Sequence, residues 1–235
     1  MNSSSSKAFT PLSKLPLFDP RSVPVMGEGD PLPPIDPPRL SEAFLRRRFI
    51  EPPVWQPEVL AESRFSGGAP IAASVLIAIV QRARPTVLLT QRSANLSNHS
   101  GQIAFPGGKR DPDDADVRAT ALREAREEIS LQPGFVEILG ELPLYVTGTG
   151  FSIAPVVALV HQGFALAPNP GEVDAVFEVP LEFLMNPINH RRHLFESAEG
   201  RREWLSMPYR DGETERFIWG ATAGILRNFY RFLSA

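Results

Sequence analysis

Glu124, Glu127 and Glu128 fall three and four positions apart in the segment 116–130. On a helix those positions are neighbours on one face, so three carboxylates crowd about one turn. Like charges so placed repel, and a hard divalent cation with oxygen ligands relieves the repulsion. Magnesium or manganese takes one or two carboxylates and keeps waters for substrate phosphate oxygens. Read alone, the pattern also suits a solvated acidic face, with Arg123 and Arg126 in local salt bridges. Just upstream, Phe105-Pro106-Gly107-Gly108-Lys109 reads as a strand end running into a glycine turn. Its glycines serve either as tight-turn residues or to bring a backbone carbonyl to a metal. The turn is not a phosphate-cradling P-loop, because the upstream glycine is missing and Arg110 stands where Ser or Thr is required.

These residues need a helix and a sheet to hold them. Val117, Ala121, Leu122, Ala125 and Ile129 recur at helical spacing and predict a helix over 116–130, ended by Pro133-Gly134. Ile71–Val80 is apolar except for Ser74 and reads as a buried strand, too short to cross a bilayer as a helix. Thr86–Arg92 is the next strand, and the polar break at 81–85 makes the pair a hairpin. Ser41 caps a short helix carrying Phe44, Leu45 and Phe49, which Pro52-Pro53 stops. Strand-like runs follow at 136–141, 144–146, 153–160 and 173–179, with a turn at Asn169-Pro170-Gly171. Pro180 opens a helical piece through Met185, and residues 219–233 predict an amphipathic closing helix. One α/β domain over 39–235 is the economical reading.

The chain has 235 residues, a formal net charge of −3 and no cysteine. That length buries a real core, and the balanced charge argues against nucleic-acid binding. No disulfide framework and no cysteine-ligated metal is possible. Nine of the 24 prolines lie between Pro11 and Pro38. Residues 1–38 therefore read as a proline-rich N-terminal arm, extended and partly disordered or packed on its own domain or a partner. The arm lacks the apolar core of a signal peptide, and no stretch reads as a membrane span, so the expectation is a cytoplasmic protein.

Together these residues resemble the Nudix hydrolases. Arg123-Glu124-Ala125-Arg126-Glu127-Glu128-Ile129-Ser130-Leu131 is similar to the second half of that family's signature, with Ser130 replacing a glycine. Counting from Gly108, Asp114 takes the earlier acidic position, and the gap to Arg123 is one residue longer than in the general pattern. Leu88-Leu89-Thr90-Gln91-Arg92-Ser93, Leu96, His99 and Gly101-Gln102-Ile103-Ala104-Phe105-Pro106-Gly107-Gly108 resemble the extra motif of the coenzyme A pyrophosphatase branch, which carries the same altered gap. The resemblance implies a Nudix-type α/β/α sandwich, with a mixed sheet between helices. It implies an Mg²⁺- or Mn²⁺-dependent pyrophosphohydrolase cleaving coenzyme A or its derivatives to 3′,5′-ADP and 4′-phosphopantetheine products. The alternatives are a pyrophosphatase for ADP-ribose or another nucleoside diphosphate derivative, and a non-catalytic nucleotide-binding module.

By the same resemblance Glu124 and Glu128 are metal ligands, with Glu127 completing the cluster and the carbonyl of Gly107 or Gly108 as a further ligand. Arg123 orients a glutamate by ion pairing. Glu172 is the candidate for a further carboxylate, as metal ligand or general base, with Glu178 second. Arg92, His99 and Gln102 hold the nucleotide or phosphate end of the substrate. His161, His190 and His193 receive no role. Homodimers are common in the family.

Overall fold

The computed structural model describes residues 18–27, 31–62, 69–94, 101–197 and 200–235. Ile71–Val80 (β1) is apolar except for Ser74 because both faces are covered beyond its exposed start, and Leu76 through Val80 are almost entirely inaccessible. It pairs in parallel with Phe151–Val160 (β7) over ten residues, and antiparallel with Thr86–Arg92 (β2) at the hairpin end. Gly107–Lys109 (β4) takes the other end of the same β1 edge, and Ile103–Ala104 (β3) pairs with β2. Val136–Glu141 (β5) and Tyr145–Val146 (β6) flank β7, and Val173–Pro180 (β8) lies along β2. These eight strands form one mixed sheet.

Alternation along the strands divides the core in two. Leu76, Ala78, Val80 and Leu88 face Ala121, Ala125 and Ile129 of the helix Val117–Ile129 (α2). Ile77, Ile79, Val87 and Leu89 face the opposite layer, which contains Ile225, Leu226 and Phe229 of the helix Ala221–Ser234 (α4). The result is the expected α/β/α sandwich. A short helix at Glu42–Ile50 (α1), capped by the Ser41 hydroxyl accepting from Phe44 N–H, packs on the α4 side. Leu181–Leu184 (α3) is a single turn after β8.

Two features of the fold go beyond the sequence expectations. Residues 191–219 form a second, three-stranded antiparallel sheet, Arg191–Ser197 (β9), Gly200–Asp211 (β10) and Thr214–Trp219 (β11), for which the sequence supplied no strand reading. The last helix is amphipathic as expected and begins at Ala221, and its polar residues Arg227 and Asn228 are buried along with its apolar face. Segment 51–62 covers its outer face. The Asn228 amide accepts from Glu58 N–H and Val59 N–H at 2.9 and 3.0 Å and donates to Val59 O at 2.6 Å. Arg227, 1% exposed, pairs with Glu58 at 2.7 Å and donates to His190 Nδ1 at 3.2 Å.

The described part of residues 1–38 lies against this second layer. Val23 and Ile35 are buried, Val25 bridges to His193, and Tyr230 Oη donates to Pro33 O at 2.8 Å. His193 Nδ1–H donates to Val23 O, and its Nε2 pairs with the Ser206 hydroxyl.

Candidate active site

Helix α2 starts cleanly because Asp116 caps it, its carboxylate accepting from Arg118 N–H and Ala119 N–H. It ends at Ser130, which adopts a left-handed conformation at φ 59° and closes the last turn onto the carbonyls of Ala125 and Arg126. That is the position where the general signature has glycine, and Ser130 holds it with a hydroxyl bond to Ala167 O.

The apolar face of α2 lies on β1, and its edge carries Glu124 and Glu128 toward the glycine pair. Gly107 and Gly108 are not in a turn, as the sequence suggested, but in β4. Close approach explains both glycines. A Cβ at Gly107 would stand 2.4 Å from Ser74 O and 2.7 Å from Val75 Cα, whereas one at Gly108 would stand 2.6 Å from the Glu124 carboxylate carbon. The Gly107 N–H donates to Glu128 Oε2 at 3.2 Å.

Arg123 ties the acidic residues together. It grips Asp114 with Nε and Nη2 at 3.0 and 2.9 Å, and donates through Nη1 to Glu124 at 3.0 Å and Glu127 at 2.9 Å. Its Nη2 also reaches Lys109 O at 3.0 Å. The longer gap therefore aims Asp114 at Arg123, and the guanidinium holds that carboxyl well below the usual range. Glu127 remains largely exposed.

Burial pushes the Glu128 carboxyl up to about 7, against the Gly107 N–H and Arg92, and the charges of Glu124 and Glu172 add to the rise. Glu124 is raised by burial too, with Glu127 and Glu172 adding and Arg123 opposing. Glu172 is thus an electrostatic neighbour of both helix carboxylates, although it comes from a loop 44 positions beyond Glu128. Asn169 sets it there: the Asn169 amide donates to Glu172 Oε1 at 3.3 Å, and Asn169 N–H donates to Glu128 O at 2.8 Å. Sequence reasoning took Asn169 only as part of a turn. Glu178, by contrast, is engaged by Arg82 and Thr86 at the hairpin end of β2.

Arg92 closes the group from β2. Its Nη1 lies 3.9 Å from Glu128 Oε1, and its buried Nε has no hydrogen-bond partner among the described residues. Gln102 stands beside it, because Arg92 N–H donates to Gln102 O and Gly101 N–H donates to Arg92 O. His99 lies outside the described residues. His161, His190 and His193 stand in other surroundings: His161 meets Gln81, His190 meets Arg227, and His193 meets Ser206.

The donor set fits a hard divalent cation. Mutually repelling, desolvated carboxylates face backbone bared by two glycines, and among the described residues the ligand atoms offered there are oxygens. Among the described residues no three acidic or histidine groups already converge as a finished cage. Arg123 occupies Glu124 and Glu127, so a cation would share or displace that contact.

Residues 70–204 match the NUDIX domain family. The chain is 45% identical over 156 residues to a protein named uncharacterized Nudix hydrolase NudL from Citrobacter koseri, covering 66% of this chain and 79% of that one. The NudL of Escherichia coli O1:K1 is 44% identical over the same length and coverage. Among solved structures, a Nudix hydrolase from M. smegmatis, RenU, aligns at TM-score 0.40 and 24% identity, over 50% of this chain and 74% of that one.

Proposed function

This chain belongs to the Nudix hydrolase family, and from that premise we propose that it cleaves the diphosphate of coenzyme A or its derivatives, giving 3′,5′-ADP and 4′-phosphopantetheine products. The observation that carries the reading is the position of Arg92. The residue from the branch motif stands beside Glu128 of the helix motif, with an unpartnered donor at the site. A guanidinium there suits the charge and planar geometry of a phosphate.

Nudix hydrolases generally use divalent metal ions. Here Glu124 and Glu128 would hold Mg²⁺ or Mn²⁺, with Glu127 and the Gly107 carbonyl completing the set. The bound ion would neutralise the diphosphate and acidify a water. Arg123 positions Glu124 and Glu127, and is itself aimed by Asp114. Glu172 takes the proton of the attacking water as the new P–O bond forms and the bridging P–O bond breaks. Arg92 and Gln102 grip the substrate, with His99 assigned to the same task. The same reading puts the enzyme in the cytoplasm.

A panel of coenzyme A, acetyl-coenzyme A, ADP-ribose and diadenosine polyphosphates, with products identified by mass, tests the substrate. Preferential release of 3′,5′-ADP supports the proposal. A preference for ADP-ribose would replace it with the broader nucleoside diphosphate reading. Hydrolysis of nothing in the panel by metal-loaded protein would favour a binding module.

A further inference from the structure

Next to Gln102 the sheet edge opens into a cavity of about 260 Å³. Phe217 and Trp219 line one side, Gly101 and Gln102 another, and Phe18 and Arg21 of the N-terminal arm close it. Phe217 and Trp219 are two apart on β11, so both present the same face. The Arg21 guanidinium sits 5.4 Å from the Phe217 ring centroid. A compact turn presents it: Asp19 O accepts from Ser22 N–H at 3.1 Å, and the Asp19 carboxylate accepts from Arg21 N–H at 2.9 Å. Phe18 anchors the turn edge-on to Phe195 and Trp204, at 5.3 and 5.8 Å. On its other side, Met26 N–H donates to Arg192 O at 2.7 Å.

The cavity touches the strand pairing that carries Arg92, because Gln102 lines the one and is bonded to the other. Arg92 and Gln102 face each other across β2 and the strand leading into β3, about 5 Å apart by strand geometry. A molecule whose phosphates meet Arg92 therefore has its next group beside Gln102. The larger groove, about 640 Å³ near Ser41 and Pro85, lies at the opposite end of β2, roughly 20 Å away by strand rise. Its Arg46 and Arg82 are already paired with Glu137 and Glu178.

We propose that the cavity between Arg21, Gln102, Phe217 and Trp219 is a purine subsite, so that the N-terminal arm forms part of the substrate site. Two aromatic rings and a guanidinium supply flat surfaces for a base, and stacking of this kind contributes about 1–3 kcal/mol per base. The Gly101–Gln102 segment closes the side of the cavity against which the rim of a base would lie. The inference rests on the nucleoside diphosphate reading above, and its test reads binding rather than hydrolysis.

The full-length protein is titrated calorimetrically with AMP, and with ribose 5-phosphate as the same ligand without its base. AMP should bind at least tenfold more tightly. Arg21→Glu, which alters an exposed residue, and Trp219→Leu should each weaken AMP about tenfold, and Arg21→Glu should raise KM for the hydrolysed substrate more than it lowers kcat. Equal affinity for the two ligands, no AMP binding up to millimolar concentration, or unchanged AMP affinity in Arg21→Glu overturns the subsite. AMP binding that is sensitive to Arg21→Glu, in a protein that hydrolyses no member of the panel, would retain the subsite and remove the hydrolase proposal.

Discussion

Adjacent glycines in β4 should fail in different ways when a methyl group is added. At Gly108 the new Cβ would meet the carbon and both oxygens of the Glu124 carboxylate at 2.6–2.7 Å, where relaxed contacts lie near 3.5 Å. Something must move by about 1 Å, and the end of a glutamate side chain is what gives. Displacement of a catalytic group by that distance lowers turnover about 100-fold, or roughly 2.7 kcal/mol in the barrier. Folding should lose less than about 1 kcal/mol, because the nearest obstacles all belong to the end of one flexible side chain. At Gly107 the obstacle is backbone, Ser74 O and Val75 Cα, in the buried part of β1. Gly107→Ala should therefore destabilise by about 3 kcal/mol, at the upper end for overpacking. Urea unfolding and steady-state kinetics on both variants, at saturating Mg²⁺, make the comparison. If Gly108→Ala keeps wild-type kcat, the position of the Glu124 carboxylate does not matter, and its assignment as a ligand is wrong.

Other perturbations probe the supports. Asp114→Asn should destabilise by about 2 kcal/mol and lower kcat at least tenfold, since Arg123 loses the partner that aims it; unchanged thermal and kinetic parameters would contradict this. Glu172→Gln should leave the melting temperature within a few degrees and reduce kcat by at least 100-fold. Near-normal turnover would remove Glu172 as the base. Glu58→Gln should destabilise by about 2–3 kcal/mol, because it strips the charged partner from buried Arg227. Burial raises the Glu58 carboxyl, but Arg227 and Arg192 outweigh it and hold the group below its ordinary value of 4.5. Its stabilisation is thus complete above that value and fades as pH falls through the lower folded one. The difference in melting temperature between wild type and Glu58→Gln should narrow below pH 4, and a constant gap would dismiss the ion pair as its cause.

Helix α2 and strand β1 were legible because burial on one face and on two faces leaves different periodicities in the text. The second sheet was not. His193 and Arg202 are buried in it, 2% and 6% exposed, at positions where a strand reading expects apolar residues. Helix α4 was legible as an amphipathic helix, but the burial of Arg227 and Asn228 was not, since segment 51–62 supplies their partners. The three helix carboxylates could be picked from spacing alone. The nearness of Glu172 to them could not, because it depends on the fold of the loop between β7 and β8 and on one asparagine amide.

The parallel pairing of β1 with β7 has a kinetic consequence. Each residue of 71–80 meets a partner 80 positions later, and α2 with all its carboxylates lies inside that interval. Closing such a loop opposes pairing by about 4 kcal/mol of chain entropy before any contact is rewarded. High contact order of this kind slows folding. The carboxylate cluster therefore assembles late, when the two halves of the sheet meet. In refolding experiments recovery of activity should coincide with the final fluorescence phase, and activity regained ahead of it would show that the site can form without β7.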